Sequence, residues 1–210
     1  HGGKDPGAVG KRAKEKDIAL DIALKVGAYI EENIPDVKVI YTRKEDVYVE
    51  LWKRAEIANQ AEADLFISIH VNAIHKPSVQ GTLTLVLGQH RAGENLDVAM
   101  RENSVILLED DYEKNYDYDP NSPEGHIMLS MFQNVFLEQS ILFAEMVEAQ
   151  IHSSANRRSR GVKQAGFVVL KETTMPSVLI ETGFLSNSTE EKYLRTPEGQ
   201  LQIAYAILSA

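Results

Sequence analysis

The chain contains no cysteine among its 210 residues, which excludes a disulfide framework and any thiolate metal site. A metal held here must draw its ligands from histidine, aspartate or glutamate. Long apolar runs are also missing: none approaches the ~18 residues that span a bilayer. Basic residues are in deficit, with 31 acids against 22 bases and a net charge of −9, which argues against nucleic acid as a partner. No compact zinc motif of the HExxH kind occurs, and no internal repeat. What remains is an ordinary globular composition, 43% hydrophobic and 25% charged. It fits one domain over residues 1–210, with room for an insertion. The chain opens on His1 without a leader and ends inside an apparent helix at Ala210, so it reads as a trimmed domain.

Two apolar strands organise the rest. Ala63–Ala73 (ADLFISIHVNA) is short, β-branched and buried in character, and its apolar run ends on His70 with Asn72 just beyond. Ligands in open α/β sheets sit beyond the carboxyl ends of strands, which places His70 where a functional histidine belongs; a histidine that merely closes the strand is the alternative. Ser177–Thr182 (SVLIET) ends in the same way on Glu181. Buried glutamates are rare unless paired or metal-bound, so the two strands point to one site at one sheet edge.

Around them, His1–Gly10 (HGGKDPGAVG) is a glycine-rich loop. A helix is predicted over Glu15–Asn33, with Ala19, Ile22, Ala23, Val26 and Ile30 at helical spacing. Glu15 falls in its first turn, where a carboxylate suits the helix dipole whatever else it does. Val37–Thr42 reads as a strand, followed by a turn with Asp46 as N-cap. A second helix covers about Val49–Ala61 and carries Arg54, read as a structural or surface charge or as a group orienting a site carboxylate. Gly81–Leu87 is a further strand. Helix Leu137–Ile151 follows, then a basic turn at Asn156–Arg160, a strand through Val162 and Phe167–Leu170, a capping box at Ser188 and Glu191, and a last helix opened by Pro197 with Leu201, Ile203, Ala204 and Ile207 inward. Residues 89–131 differ from everything else. Ten acids stand there against three bases, so most of the net charge is local. This segment reads as an insertion with helices near Asn95–Leu108 and after Pro123, either a solvated acidic loop or a lid over the site.

Two histidines and a carboxylate form a common catalytic zinc set, but spacing alone does not single out His1 or Glu15 from the other acids and the six histidines. The segments HGGKDPGA, EKD at 15–17, TRKED at 42–46, LWKRAEIAN at 51–59, ADLFISIHVNA at 63–73, GVKQAGFVVL at 161–170 and MPSVLIETGFLSN at 175–187 resemble the zinc-dependent N-acetylmuramoyl-L-alanine amidases of the cell-separation type (amidase type 3). The resemblance implies an α/β fold, a twisted, mostly parallel sheet of about six strands with helices on both faces. The family's first strand precedes its first histidine and is missing ahead of His1. The resemblance further implies one Zn2+ held by His1, Glu15 and His70, with Glu181 as catalytic glutamate and Asn72 placed to hydrogen-bond substrate. The implied reaction is hydrolysis of the amide between N-acetylmuramic acid and L-alanine in peptidoglycan, in the periplasm or cell envelope. In some relatives an insertion at 89–131 blocks the zinc with a glutamate until an activator protein withdraws it; Glu102 is the candidate here. The competing expectations are a catalytically silent peptidoglycan-binding or regulatory module and a zinc peptidase cutting within the stem peptide.

Overall fold

The computed structural model describes residues 1–89, 93–120, 122–132 and 134–210. His90 and Arg91 of the acidic segment lie outside the described residues. In chain order the elements are α1 (Glu15–Asn33), α2 (Leu51–Gln60), β1 (Phe66–Asn72), β2 (Thr82–Leu87) and α3 (Gly93–Asn103), the last running into a 3-10 turn at Ser104–Leu108. Then come α4 (Tyr112–Asn115), α5 (Pro123–Ser130), α6 (Leu137–Ser154), β3 (Ser159–Ala165), α7 (Val168–Lys171), β4 (Ser177–Phe184), α8 (Ser188–Leu194) and α9 (Pro197–Leu208).

The strands form one sheet in the order β1-β4-β2-β3. β1 runs parallel to β4 and β2 parallel to β3, while β4 and β2 are antiparallel. Successive side chains on a strand alternate between faces, and each face has its own core. On one face Val178, Ile180 and Val86 pack with Ile18, Ile22 and Val26 of α1, Val147 and Ile151 of α6 and Ile203 of α9. On the other, Leu83, Leu85, Leu87 and Leu179 pack with Leu51 of α2, Val98 of α3 and Phe167–Leu170. Helices on both faces of a mostly parallel sheet are the expected class.

Among the described residues the strand count is four, not about six. Of the two strands that make up the difference, one was expected ahead of His1, outside the sequence. The other, Val37–Thr42, has no strand structure. A strand exists only by exchanging backbone hydrogen bonds with a neighbour. β1 is an edge of the sheet order, Val37–Thr42 forms no ladder with it or with any other described strand, and Val37 and Ile40 are exposed. Four smaller expectations also change. Phe167 caps a short helix, α7, instead of continuing a strand; an unbroken apolar run does not by itself distinguish a strand from a buried helix. Leu201 of α9 faces solvent. The cap of α8 is Asn187, whose side chain accepts the Thr189 and Glu190 N–H groups, and Glu191 instead accepts the Arg12 and Ala13 N–H groups. Asp46 caps no helix: it accepts from the Gly3 N–H and from Lys16 Nζ, fixing the glycine-rich loop against α1. In the basic turn, Arg157 is buried and paired with Glu190 at 2.8 Å.

Candidate metal centre and active site

His1, Glu15, His70 and Glu102 bring one ligand atom each to within 4.8 Å of one another. Each arrives for a local reason. The glycine-rich loop folds back through paired Gly2–Asp5 backbone hydrogen bonds, which sets His1 Nδ1 to donate to Asp5 Oδ2 at 2.6 Å and turns Nε2 inward. A carboxylate behind a histidine in this way fixes the tautomer and orientation that a metal ligand needs. Gly7 completes the turn at φ +63°, and a Cβ there would collide with both Glu15 Oε2 and the His1 ring, so only glycine fits. Glu15 is the first residue of α1 and is fully buried. Its Oε1 accepts the Val71 N–H at 2.8 Å and faces His70 Nδ1 at 3.0 Å. Its Oε2 accepts the Ala8 N–H at 2.7 Å and lies 3.2 Å from His1 Nε2. His70 stands opposite Glu181 in the β1–β4 ladder, with Nε2 turned to Ser68 Oγ and Nδ1 to the cluster. Asn72 lies beyond a register shift from His70, buried, with its Oδ1 unpartnered.

The fourth member comes from the acidic segment. Glu102, near the end of α3, places Oε2 at 2.9 Å from His1 Nε2 and 3.0 Å from His70 Nδ1. Its neighbour Arg101 grips Glu102 Oε1 through Nε and Nη2, donates from Nη1 to the Ala73 carbonyl, and lies 3.6 Å from Glu181 Oε1. Asn103 fastens the same helix to the body, accepting the Val168 N–H and donating to the Gly166 carbonyl. Farther along, Glu109 accepts the Leu51 N–H at the start of α2 and the Tyr116 hydroxyl at 2.7 Å, and Lys4 Nζ donates to the Leu108 carbonyl. Glu181 is wholly buried and neither of its carboxylate oxygens has a hydrogen bond.

Charges in the cluster are strongly perturbed. Burial opposes a charge on His1, but the Glu15 carboxylate and the hydrogen bonds to Asp5 and Glu102 outweigh it and hold the ring well above its usual value. Burial likewise opposes ionisation of Glu15, yet His1 and the remaining hydrogen bonds bring it down to about 2. Glu102 is held far down against its burial, chiefly by His70. Glu181 moves the other way. Burial first and the Glu102 charge second push it well above the ordinary carboxyl range, against the pull of Arg101.

The residues fit a bound cation. Two imidazole nitrogens each face two carboxylate oxygens at 2.9–3.2 Å, and one oxygen of Glu102 is shared by both rings. Ligands at about 2.0–2.2 Å around a tetrahedral zinc stand only slightly farther apart, at about 3.4 Å. With both imidazoles neutral, as metal ligation requires, the buried carboxylates of Glu15 and Glu102 against Arg101 leave negative charge that a divalent ion would offset.

All four site residues that the sequence reading set around the metal and base converge here, and Glu102 joins them. Asp5 and Arg101 escaped that reading. A carboxylate four residues after His1 was the available signal for Asp5; nothing in the pattern of 89–131 marks Arg101.

Such a donor set, beside a glutamate without hydrogen bonds on the adjoining strand, is a metallohydrolase type of site. The family described as N-acetylmuramoyl-L-alanine amidase matches residues 1–210, and the chain belongs to that family. It is 34% identical to the amidase AmiC of Escherichia coli O6:H1 over 212 residues, covering 100% of this chain and 49% of AmiC. It is 32% identical to AmiA of Escherichia coli K12 over 208 residues, covering 99% of this chain and 71% of AmiA. The chain thus spans about half the length of AmiC. Among solved structures, the catalytic domain of the amidase CwlV from Bacillus (Paenibacillus) polymyxa superposes with a TM-score of 0.71 at 29% identity, covering 100% of this chain and 90% of that one. The CwlD amidase of Clostridioides difficile, solved in complex with the GerS lipoprotein, gives 0.70 at 28% identity, covering 100% and 91%. No helix among the described residues is long and apolar enough to cross a membrane.

Proposed function

We propose that the chain is a single catalytic domain that hydrolyses the amide between the lactyl group of N-acetylmuramic acid and L-alanine of the stem peptide, and that its own acidic segment blocks the site. The observation that carries this is Glu181: a wholly buried carboxyl without a hydrogen bond next to a two-histidine, two-glutamate cluster. His1 Nε2, His70 Nδ1 and Glu15 would hold one Zn2+, which when bound would supply polarisation of the scissile carbonyl and an acidified water. Glu181 takes the proton of the attacking water and delivers it to the leaving amine, a role suited to a carboxyl whose proton affinity burial has raised. Asn72, with a free buried Oδ1, serves as a hydrogen-bond acceptor for substrate.

Glu102 and Arg101 block both halves of this machinery. Glu102 occupies the position that substrate or water takes, and Arg101 lies against Glu181. The acidic segment 89–131 is accordingly the regulatory lid, and an activator protein acting on it opens the site. Peptidoglycan as substrate places the protein in the periplasm or cell envelope. The test is mass analysis of products from purified peptidoglycan, using wild type and Glu102→Ala with and without a chelator. Release of peptides with a free L-alanine amino group, stronger in Glu102→Ala and abolished by chelation, is expected. Products cut within the stem peptide would make it a peptidase, and no release from either protein would leave a binding module.

A further inference from the structure

A small cavity of about 10 Å3 lies beside the cluster. One wall belongs to the body of the domain and includes His1, His70 and Arg54; the other belongs to the blocking segment and includes Glu102, Asn103 and Val105. Withdrawing the segment turns the body wall into the floor of an open cleft. Arg54 is the arginine on that floor. Its Nε donates to the Val49 carbonyl at 3.0 Å, while its Nη2 is closed off from solvent and has no hydrogen-bond partner. No ion pair to Arg54 exists among the described residues. Asp5 and Glu109 act on it only through space, and Arg43 repels it. A buried guanidinium N–H without an acceptor is costly to a fold, and the planar fork is shaped to take a carboxylate through two parallel hydrogen bonds.

We infer that Arg54 is a specificity residue that binds a free carboxylate of the stem peptide on the leaving-group side, the one carried by the second residue next to L-alanine. The inference rests on the amidase reading. The chemistry is that of a guanidinium without an ion pair beside the cluster; in the departing peptide, the free anion nearest the scissile amide is that α-carboxylate. A carboxylate farther along the stem would engage the same fork only through a longer reach, and shortened substrates separate the two sources.

The test uses the full chain carrying Glu102→Ala, with Arg54 intact or replaced by Lys or Gln. Two N-acetylmuramoyl dipeptides serve as substrates, differing only in whether the second residue's α-carboxylate is free or amidated. With Arg54 present, the acid is expected to be favoured by about 10- to 100-fold in kcat/KM, expressed mainly in KM, as for a hydrogen bond to a charged group. Arg54→Gln should reduce the preference to within about twofold, and Arg54→Lys should restore part of it. Calorimetric binding of the two product dipeptides should show the same order. Equal handling of acid and amide by the Arg54 protein overturns the inference without any variant. So does an equal loss on both substrates in Arg54→Gln, which marks a structural role. If neither substrate is cleaved but binding still follows the carboxylate and Arg54, the specificity site stands and the amidase reading falls.

Discussion

Two buried glutamates occupy the same level of one sheet and have opposite fates. Glu181 on β4 pairs in register with Leu83 on β2. Thr82 and Thr84 flank Leu83 and so point to the other face, where Glu148 of α6 meets them. Glu148 accepts from Thr82 Oγ1, Thr84 Oγ1 and Ser159 Oγ, so its carboxylate is saturated. Glu181, with no donor on either oxygen, is held only by the electrostatics of its neighbours. The difference separates a carboxylate that ties a helix to a sheet from the one the proposed reaction uses. A buried polar group without a partner costs about 1–3 kcal/mol, and Glu181 bears that cost beside the candidate metal cluster.

Exchanging each acid for its amide is the strongest way to break this contrast. In a Glu102→Ala background, Glu181→Gln should lower turnover by about 10²- to 10⁴-fold, the usual weight of a general acid–base group, without lowering the melting temperature. Near-normal turnover in this variant would remove Glu181 from the reaction. Releasing the block comes next in size. Glu102→Ala alone should raise turnover by about 10- to 100-fold, because it removes charge-assisted contacts to two histidines; unchanged initial rates would mean that Glu102 obstructs nothing.

Metal removal sharpens the comparison from the other side. A ligand that binds only the folded chain stabilises it by about 2.7 kcal/mol at a hundredfold excess over its Kd. Chelation should therefore lower the melting temperature of wild type and Glu148→Gln alike, and zinc should restore it. In His70→Ala neither treatment should matter.

The smallest effect belongs to Glu148. Burial raises its pKa, against the pull of its three hydroxyl donors. A raised carboxyl binds its proton more tightly folded than unfolded, so its contribution to stability is fullest below the unfolded value, about 4.3, and is lost as pH rises through the folded one. Glu148→Gln should lack this component when melting is followed from pH 4 to 7, at a cost of about 1 kcal/mol in hydrogen bonding and none in turnover. Lost turnover with intact melting would make Glu148 more than structural.

Legibility in the sequence followed the same division. Strand ends signalled His70 and Glu181 because an ionisable residue closing an apolar run is uncommon. His1 and Glu15 needed the family resemblance, since a loop histidine and a first-turn glutamate have ordinary explanations. The two sheet faces were visible in strand alternation, whereas the strand count was not: Val37–Thr42 has β character in sequence, but pairing depends on a neighbour that no local pattern supplies. Arg101 and Asn103 were hidden because their partners, Glu181 and the Gly166–Val168 backbone, lie some 60 to 80 residues away. Glu102 stood out only as an acid within a probable helix.

The most direct test is crystallographic. Anomalous diffraction at the zinc edge, from wild-type crystals grown with zinc, should give one peak per chain bounded by His1 Nε2, His70 Nδ1, Glu15 and Glu102. In Glu102→Ala the peak should persist with a solvent ligand in the vacated place. No peak at this position, or a peak with Glu102 turned away in wild type, would contradict a metal centre closed by its own acidic segment.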